Sequence, residues 1–230
     1  MKYIDEEKNS LSYKLALQFD KRTYCMYYIS LLKTKHIFIF TFCNNKDYNS
    51  RIIKFDLFFI GFIIYYTINT LFYNDDILHN IYEKKGKFDI EYQIPKIVYS
   101  SLISMVLNKL LSFLALSNSD IINFKSNKNK KDVYIREKKL KNNLNLKFIF
   151  YYIISFIFLL FFWYYISMFC AIYRNTQLYL LKDTLISFGL SLIYPFIVYL
   201  LPGICRIPSL SNKRNKRNYL YQISTILQSL

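Results

Sequence analysis

Residues 148–173, FIFYYIISFIFLLFFWYYISMFCAIY, contain no ionisable acid or base apart from tyrosine and cysteine. A helix needs about 20 mostly apolar residues to cross the hydrocarbon core of a bilayer. A run of this length and purity constrains the chain more than any other feature. Three further runs meet the same length: 55–73 (FDLFFIGFIIYYTINTLFY), 94–116 (IPKIVYSSLISMVLNKLLSFLAL) and 184–204 (TLISFGLSLIYPFIVYLLPGI). The second is the weakest, because it holds Asn108 and Lys109. The expectation is an all-α, multi-pass transmembrane helical protein with four membrane-spanning helices and a short N-terminal cytoplasmic cap. Glycine and proline, four of each, are too scarce for a turn-rich β architecture.

The connecting segments set the orientation. Residues 1–54 hold ten Lys/Arg against five acids, 74–93 three against five, and 117–147 nine against three. Residues 174–183 hold Arg174 and Lys182, and the tail from 205 holds five basic residues and no acid. Lys and Arg near helix ends stay cytoplasmic, so both termini and loop 117–147 are expected on that side. The division expected is a cap over 1–54, a four-helix domain over 55–204, and a basic tail over 205–230. A net charge of +16 interleaved with apolar runs points to charged loops beside a bilayer rather than to nucleic acid.

The short apolar segment 36–43, HIFIFTFC, is too short to cross. Widening it to about 20 residues takes in Lys33 and Lys35, and a charge near a helix centre costs about 2.5–3.5 kcal/mol. It reads as an interfacial or re-entrant segment, or as a short strand, since its composition leans toward β structure. Residues 129–147 place Val133, Leu140 and Leu144 near one face among basic residues. The tail 218–230 repeats apolar residues at Tyr219, Ile223, Ile226, Leu227 and Leu230, as an amphipathic interfacial helix does. Lys138, Lys139, Lys141, Lys213, Arg214, Lys216 and Arg217 are the candidate contacts to anionic lipid.

Helices in lipid mark their contacts with small and polar residues. Such stripes run along Tyr66, Asn69, Thr70 and Tyr73, along Ser101, Ser104, Asn108 and Ser112, and along Thr184, Ser187, Ser191 and Tyr194, with Gly189 nearby. They suit helix packing, or else a polar path between helices. Lys109 reads as the only deep basic residue, no acid lies deep in a span, and Asp183 reads as a cap. Pro195 is a candidate hinge, and Pro202 with Gly203 ends the last helix. No catalytic triad, phosphate-binding loop, metal-ligand spacing or cofactor motif is present. The four cysteines lack paired spacing.

The phrases FDKRTYCMYYISLLKTKH, NNKDYNSRIIKFDLFF, YYTINTLFYNDD, WYYISMFCAIYRNTQLYLLKDTLISFGLSLIYPF and YLLPGICRIPSL, taken together, resemble the membrane-embedded C-terminal region of large multi-pass surface proteins of AT-rich unicellular eukaryotes. Those proteins carry long repetitive ectodomains upstream, and this sequence has none. The resemblance implies a stand-alone or truncated membrane-anchoring module and assigns no catalytic residue. The expected function is a membrane anchor or interaction module without catalysis. Its partners would be the lipid bilayer, anionic lipids and a homo-oligomer or larger membrane complex. The alternative is a small oligomeric channel or transporter built on the polar stripes.

Overall fold

The computed structural model describes residues 3–87, 90–126, 133–211 and 218–229. Twelve helices follow one another along them, and no strand occurs among these residues. They are α1 (Asp5–Asn9), α2 (Tyr13–Phe19), α3 (Tyr24–Lys35), α4 (Ile37–Cys43), α5 (Arg51–Leu71) and α6 (Asp75–Glu83), then α7 (Ile90–Ala115), α8 (Asn118–Ser126), α9 (Val133–Ile172), α10 (Gln177–Val198), α11 (Leu201–Ser211) and α12 (Asn218–Ser229). Four stretches are long and apolar enough to cross a membrane: Arg51–Leu71, Gln93–Ala115, Val133–Ile172 and Gln177–Ser211. The chain forms two compact units, Asn49–Ser191 and Met1–Tyr48 with Leu192–Leu230. The N-terminal segment and the basic tail, read separately in the sequence, therefore belong to one unit.

In the Asn49–Ser191 unit, α5 is the central element. Ile53, Leu57, Ile60, Ile64 and Ile68 recur at three- and four-residue steps and stack on one face. They pack with Leu111 and Ala115 of α7 and Tyr151 of α9. The apolar window of α5 is 56% buried, that of α9 only 6%, so α9 lies at the unit's periphery. The basic residues 133–147 and the apolar residues 148–172 form one unbroken helix, about 60 Å long at 1.5 Å per residue. Lys147 ties it to the preceding segment, donating to Asp120 at 2.7 Å and to the Leu116 carbonyl at 3.2 Å. Tyr151 donates to Asp56 at 2.8 Å.

Residues 74–87, read as an acidic loop, contain α6. The Asn74 side chain caps it by accepting from Ile77 N–H at 2.9 Å, and Asp75 and Asp76 occupy the first turn. Both features favour a helix N-terminus. The helix stops where Lys85 and Gly86 turn left-handed (φ 49° and 69°), with Gly86 N–H returning to Ile81 O at 2.9 Å.

The other unit corrects the strand option for 36–43: the segment is helix α4. His36 starts it, accepting weakly from Ile39 N–H at 3.5 Å through Nδ1. Phe40 and Thr41 face inward, while Phe38 and Phe42 are exposed. Aromatic and β-branched composition leans toward strands, but a strand needs a paired neighbour and none occurs among the described residues; tertiary context overrides the propensity.

The sequence reading of 184–204 as one helix ended by Pro202 and Gly203 is also corrected. The α10 helix starts seven residues earlier, passes through Pro195 without interruption, and ends at Val198. The break falls at Tyr199–Leu200, and Pro202 and Gly203 open α11, where proline in the first turn lacks no needed hydrogen bond. Helix α3 stitches the break. Leu200 N–H turns to Ile197 O at 3.2 Å, leaving Phe196 O without its usual helical donor. Tyr28 supplies one at 3.1 Å, Tyr24 donates to Leu200 O at 2.8 Å, and His36 Nε2 meets Leu192 O at 2.9 Å. Gly203 lets α11 approach α3, since a Cβ there would lie 2.6 Å from the Tyr24 ring.

This close approach yields a stability prediction. Gly203→Ala should destabilise the protein by about 1–3 kcal/mol through overpacking. Tyr28→Phe should cost about 1 kcal/mol through the orphaned carbonyl. Thermal unfolding of the detergent-solubilised chain measures both, and the larger loss is expected for the glycine variant.

Candidate functional site: a buried ion pair among three apolar helices

Near the ends of α5, α7 and α10, six polar side chains converge. Lys96 Nζ lies 2.6 Å from Asp183 Oδ2, and their side chains are only 5% and 7% exposed. Tyr73 OH donates to the same carboxylate oxygen at 2.5 Å. The Lys96 ammonium also sits 4.1 Å above the Tyr73 ring, a favourable cation–π position. Asn69 Nδ2 donates to Thr184 Oγ1 at 3.1 Å and approaches Tyr73 OH at 3.4 Å. Ser100 Oγ donates to Asn69 Oδ1 at 3.4 Å. Every member is thus held by another.

The helices build this cluster by their periodicity. Lys96, Ser100, Ser104 and Asn108 recur every four residues along α7, so they share one face over about 18 Å. Asp183, Ser187 and Ser191 do the same along α10, with Thr184 beside Asp183. The charge pair caps this polar strip at one end. An ammonium or carboxylate alone in such surroundings would be prohibitive; pairing with added hydrogen bonds makes the burial tolerable.

The stripe residues fall into place around it. Tyr66 is buried edge-on to Phe162, with ring centroids 5.9 Å apart. Asn69 is within the cluster, whereas Thr70 is buried and turns to its own backbone at Thr67. Ser101 and Ser104 bond the carbonyls of Ile97 and Ser100, and Ser191 that of Phe188. Asn108 lies against Gly61. Ser187 Oγ, Asn108 Oδ1 and Tyr65 OH are buried without a hydrogen-bond partner among the described residues. Pro195 lies further along α10, outside this unit. Lys138, Lys139 and Lys141 are exposed on the basic half of α9. Lys213, Arg214, Lys216 and Arg217 lie outside the described residues.

Reading Asp183 only as a helix cap missed a buried ion pair near the helix ends. Asp183 and Lys96 are the buried pair, and Lys109 is exposed. Asp183 becomes interior because α10 begins at Gln177 rather than at 184. A usable signal was present: the four-residue ladder that ends at Asn108 begins at a lysine.

A second buried charge cluster occupies the unit of Met1–Tyr48 and Leu192–Leu230. Asp20 accepts from Arg22 Nε at 2.7 Å and Nη2 at 2.8 Å, and from Arg206 Nη2 at 3.0 Å. Arg206 is fully buried; it also donates to Lys8 O at 2.8 Å and lies between the Tyr27 and Tyr221 rings, 5.0 and 4.7 Å from their centroids. Arg22 continues to Asn9 and Ser30 at 2.9 and 2.8 Å. Burial alone would raise the Asp20 pKa. The hydrogen bonds and charges of Arg22, then of Arg206, together outweigh it and hold the carboxyl below its ordinary value. Burial pushes the Tyr27 hydroxyl upward.

Among the described residues no group of three or more His, Cys, Asp or Glu side chains gathers. Comparison with protein families, curated proteins and solved structures finds no match to the chain.

Two predictions follow from these clusters. Lys96→Met or Asp183→Asn alone should cost about 3–5 kcal/mol, because each change strands or unbalances its buried partner. The double variant should recover most of that loss, and a double-mutant cycle on thermal stability measures the difference. Asp20, with its folded pKa lowered, contributes stability that is complete above the ordinary value of 3.8 and fades as pH falls through the lower folded value. An acid titration of stability should therefore be shallower for Asp20→Asn, which lacks this contribution at neutral pH.

Proposed function

We propose that the chain is an integral multi-pass membrane protein that serves as an anchor or interaction module and carries no catalysis of its own. One observation supports this above the others: the long helices leave their apolar side chains uncovered. Leu102, Val106, Leu110 and Phe113 on α7, and Phe156, Phe161 and Trp163 on α9, are all more than half exposed. In water such continuous apolar surface would drive aggregation; lipid is the solvent that suits it. The polar groups turn inward and are largely satisfied there, as expected of packing contacts between helices in a bilayer. The resemblance to a membrane-anchoring module points the same way.

In this reading both termini and the segment 117–147 are cytoplasmic, so the Lys96–Asp183 pair lies toward the outer surface. The Asp56–Tyr151 hydrogen bond lies toward the inner one. The exposed lysines at 138, 139 and 141, with the basic residues at 213, 214, 216 and 217, contact anionic lipid of the cytoplasmic leaflet. Further subunits of a homo-oligomer or a larger complex would dock on the same apolar helices.

A second reading, a small channel or transporter, draws on the buried, unpartnered oxygens of Tyr65, Ser187 and Asn108. Such groups cost about 1–3 kcal/mol each and are natural sites for water in a polar path.

Under the anchor reading, the protein stays with the membrane pellet through an alkaline carbonate wash, and reconstituted liposomes pass no ion current. Release by carbonate would overturn membrane integration. A reproducible current abolished by Asn108→Leu would replace the anchor with the channel.

A further inference from the structure

An open groove of about 800 Å³ runs between α2 and its following turn on one side and α11 on the other. Its size lies in the range of small-ligand sites. Leu17, Ile207 and Leu210 give it an apolar floor, and Lys14 and Lys21 stand on its rim. Asp20 also lines it, but that carboxylate is already engaged by Arg22 and Arg206. Arg22 in turn spends its guanidinium on Asp20, Asn9 and Ser30. Lys14 and Lys21 form no ion pair among the described residues and bring the uncompensated charge. A groove with an apolar floor and a doubly cationic rim is complementary to an amphiphile with an anionic head.

Its place in the chain selects the source of that amphiphile. Ile207, Leu210 and Ser211 form the last turn of α11, a few residues beyond the apolar run 184–204, and the sequence becomes basic directly afterward. In the membrane reading that run spans the bilayer, so the residues just after it lie at the headgroup level. A soluble anion would need no apolar floor; a phospholipid would rest its glycerol and upper acyl carbons there and present its phosphate to the lysines.

We propose that this groove is a binding site for one acidic phospholipid, with Lys14 and Lys21 recognising the headgroup and Leu17, Ile207 and Leu210 receiving the chain. The site is distinct from the diffuse basic surface of α9. It rests on the membrane reading, because the lipid reaches it from the surrounding leaflet.

The test uses the full chain in phosphatidylcholine nanodiscs containing a minor fraction of phosphatidylserine. Lipid retained on the extracted protein is counted by native mass spectrometry. The wild-type chain should retain phosphatidylserine in preference to phosphatidylcholine. Lys14→Ala with Lys21→Ala should lower the apparent affinity roughly 30-fold, about fivefold per lysine. Leu17→Trp keeps both lysines but fills the groove, and should lose the bound lipid too; thermal unfolding confirms that each variant is folded. Undiminished retention in the lysine variant or in Leu17→Trp overturns the site. Displacement of the lipid by equimolar inorganic phosphate would also overturn it, by making the ligand a soluble anion. Failure of the chain to enter nanodiscs at all is a separate result: it overturns the membrane reading, and this inference with it.

Discussion

The helices of this chain carry more apolar surface than the chain itself can cover. That constraint governs the rest of the structure. With the apolar window of α9 only 6% buried, the apolar core around α5 leaves much of the apolar surface of the Asn49–Ser191 unit uncovered. Phe156, Phe161 and Trp163 point outward, while Lys96, Asp183, Tyr73, Asn69 and Thr184 point toward one another. Under the proposed reading lipid completes the solvation, and the contacts that make the fold specific are polar.

The two buried charge clusters show how such specificity is achieved. Hydrophobic burial cannot decide which faces of α5, α7 and α10 meet if those faces are as content in lipid as against each other. A lysine on α7 and an aspartate on α10 can decide it, because separating them strands a charge. Tyr73, Asn69, Thr184 and Ser100 then use up the remaining donors and acceptors. Asp20 plays a comparable part in the other unit. It draws Arg206 from the far end of the chain to the N-terminal helices, and the Tyr27 and Tyr221 rings cover the arginine. In both places separating the pair would strand a buried charge, whereas the intact pair itself adds little net stability.

Much of this organisation is legible in the sequence, and the failures have physical causes. The four apolar runs are visible because length and hydropathy are local properties, and the helices form where those runs lie. Helix ends are set by capping and by neighbours, so the start of α10 at Gln177 was hidden, and with it the burial of Asp183. Lys96 heads a four-residue polar ladder that marks its face, but that pattern does not show that its partner is an aspartate 87 residues away. Arg206 read as an ordinary tail charge; its partner Asp20 is 186 residues distant. The segment 36–43 carries strand-forming side chains, yet it is a helix that begins at His36, whose ring also meets the Leu192 carbonyl 156 residues away, a contact invisible to propensity.

Trp163 is the sole tryptophan and reports directly on whether lipid covers α9. It is exposed on the apolar half of α9, which faces lipid rather than water under the proposed reading. In reconstituted vesicles, its fluorescence should be strongly quenched by phospholipids brominated on their acyl chains and little affected by aqueous iodide. Strong quenching by iodide, with no effect of the brominated lipids, would contradict the account.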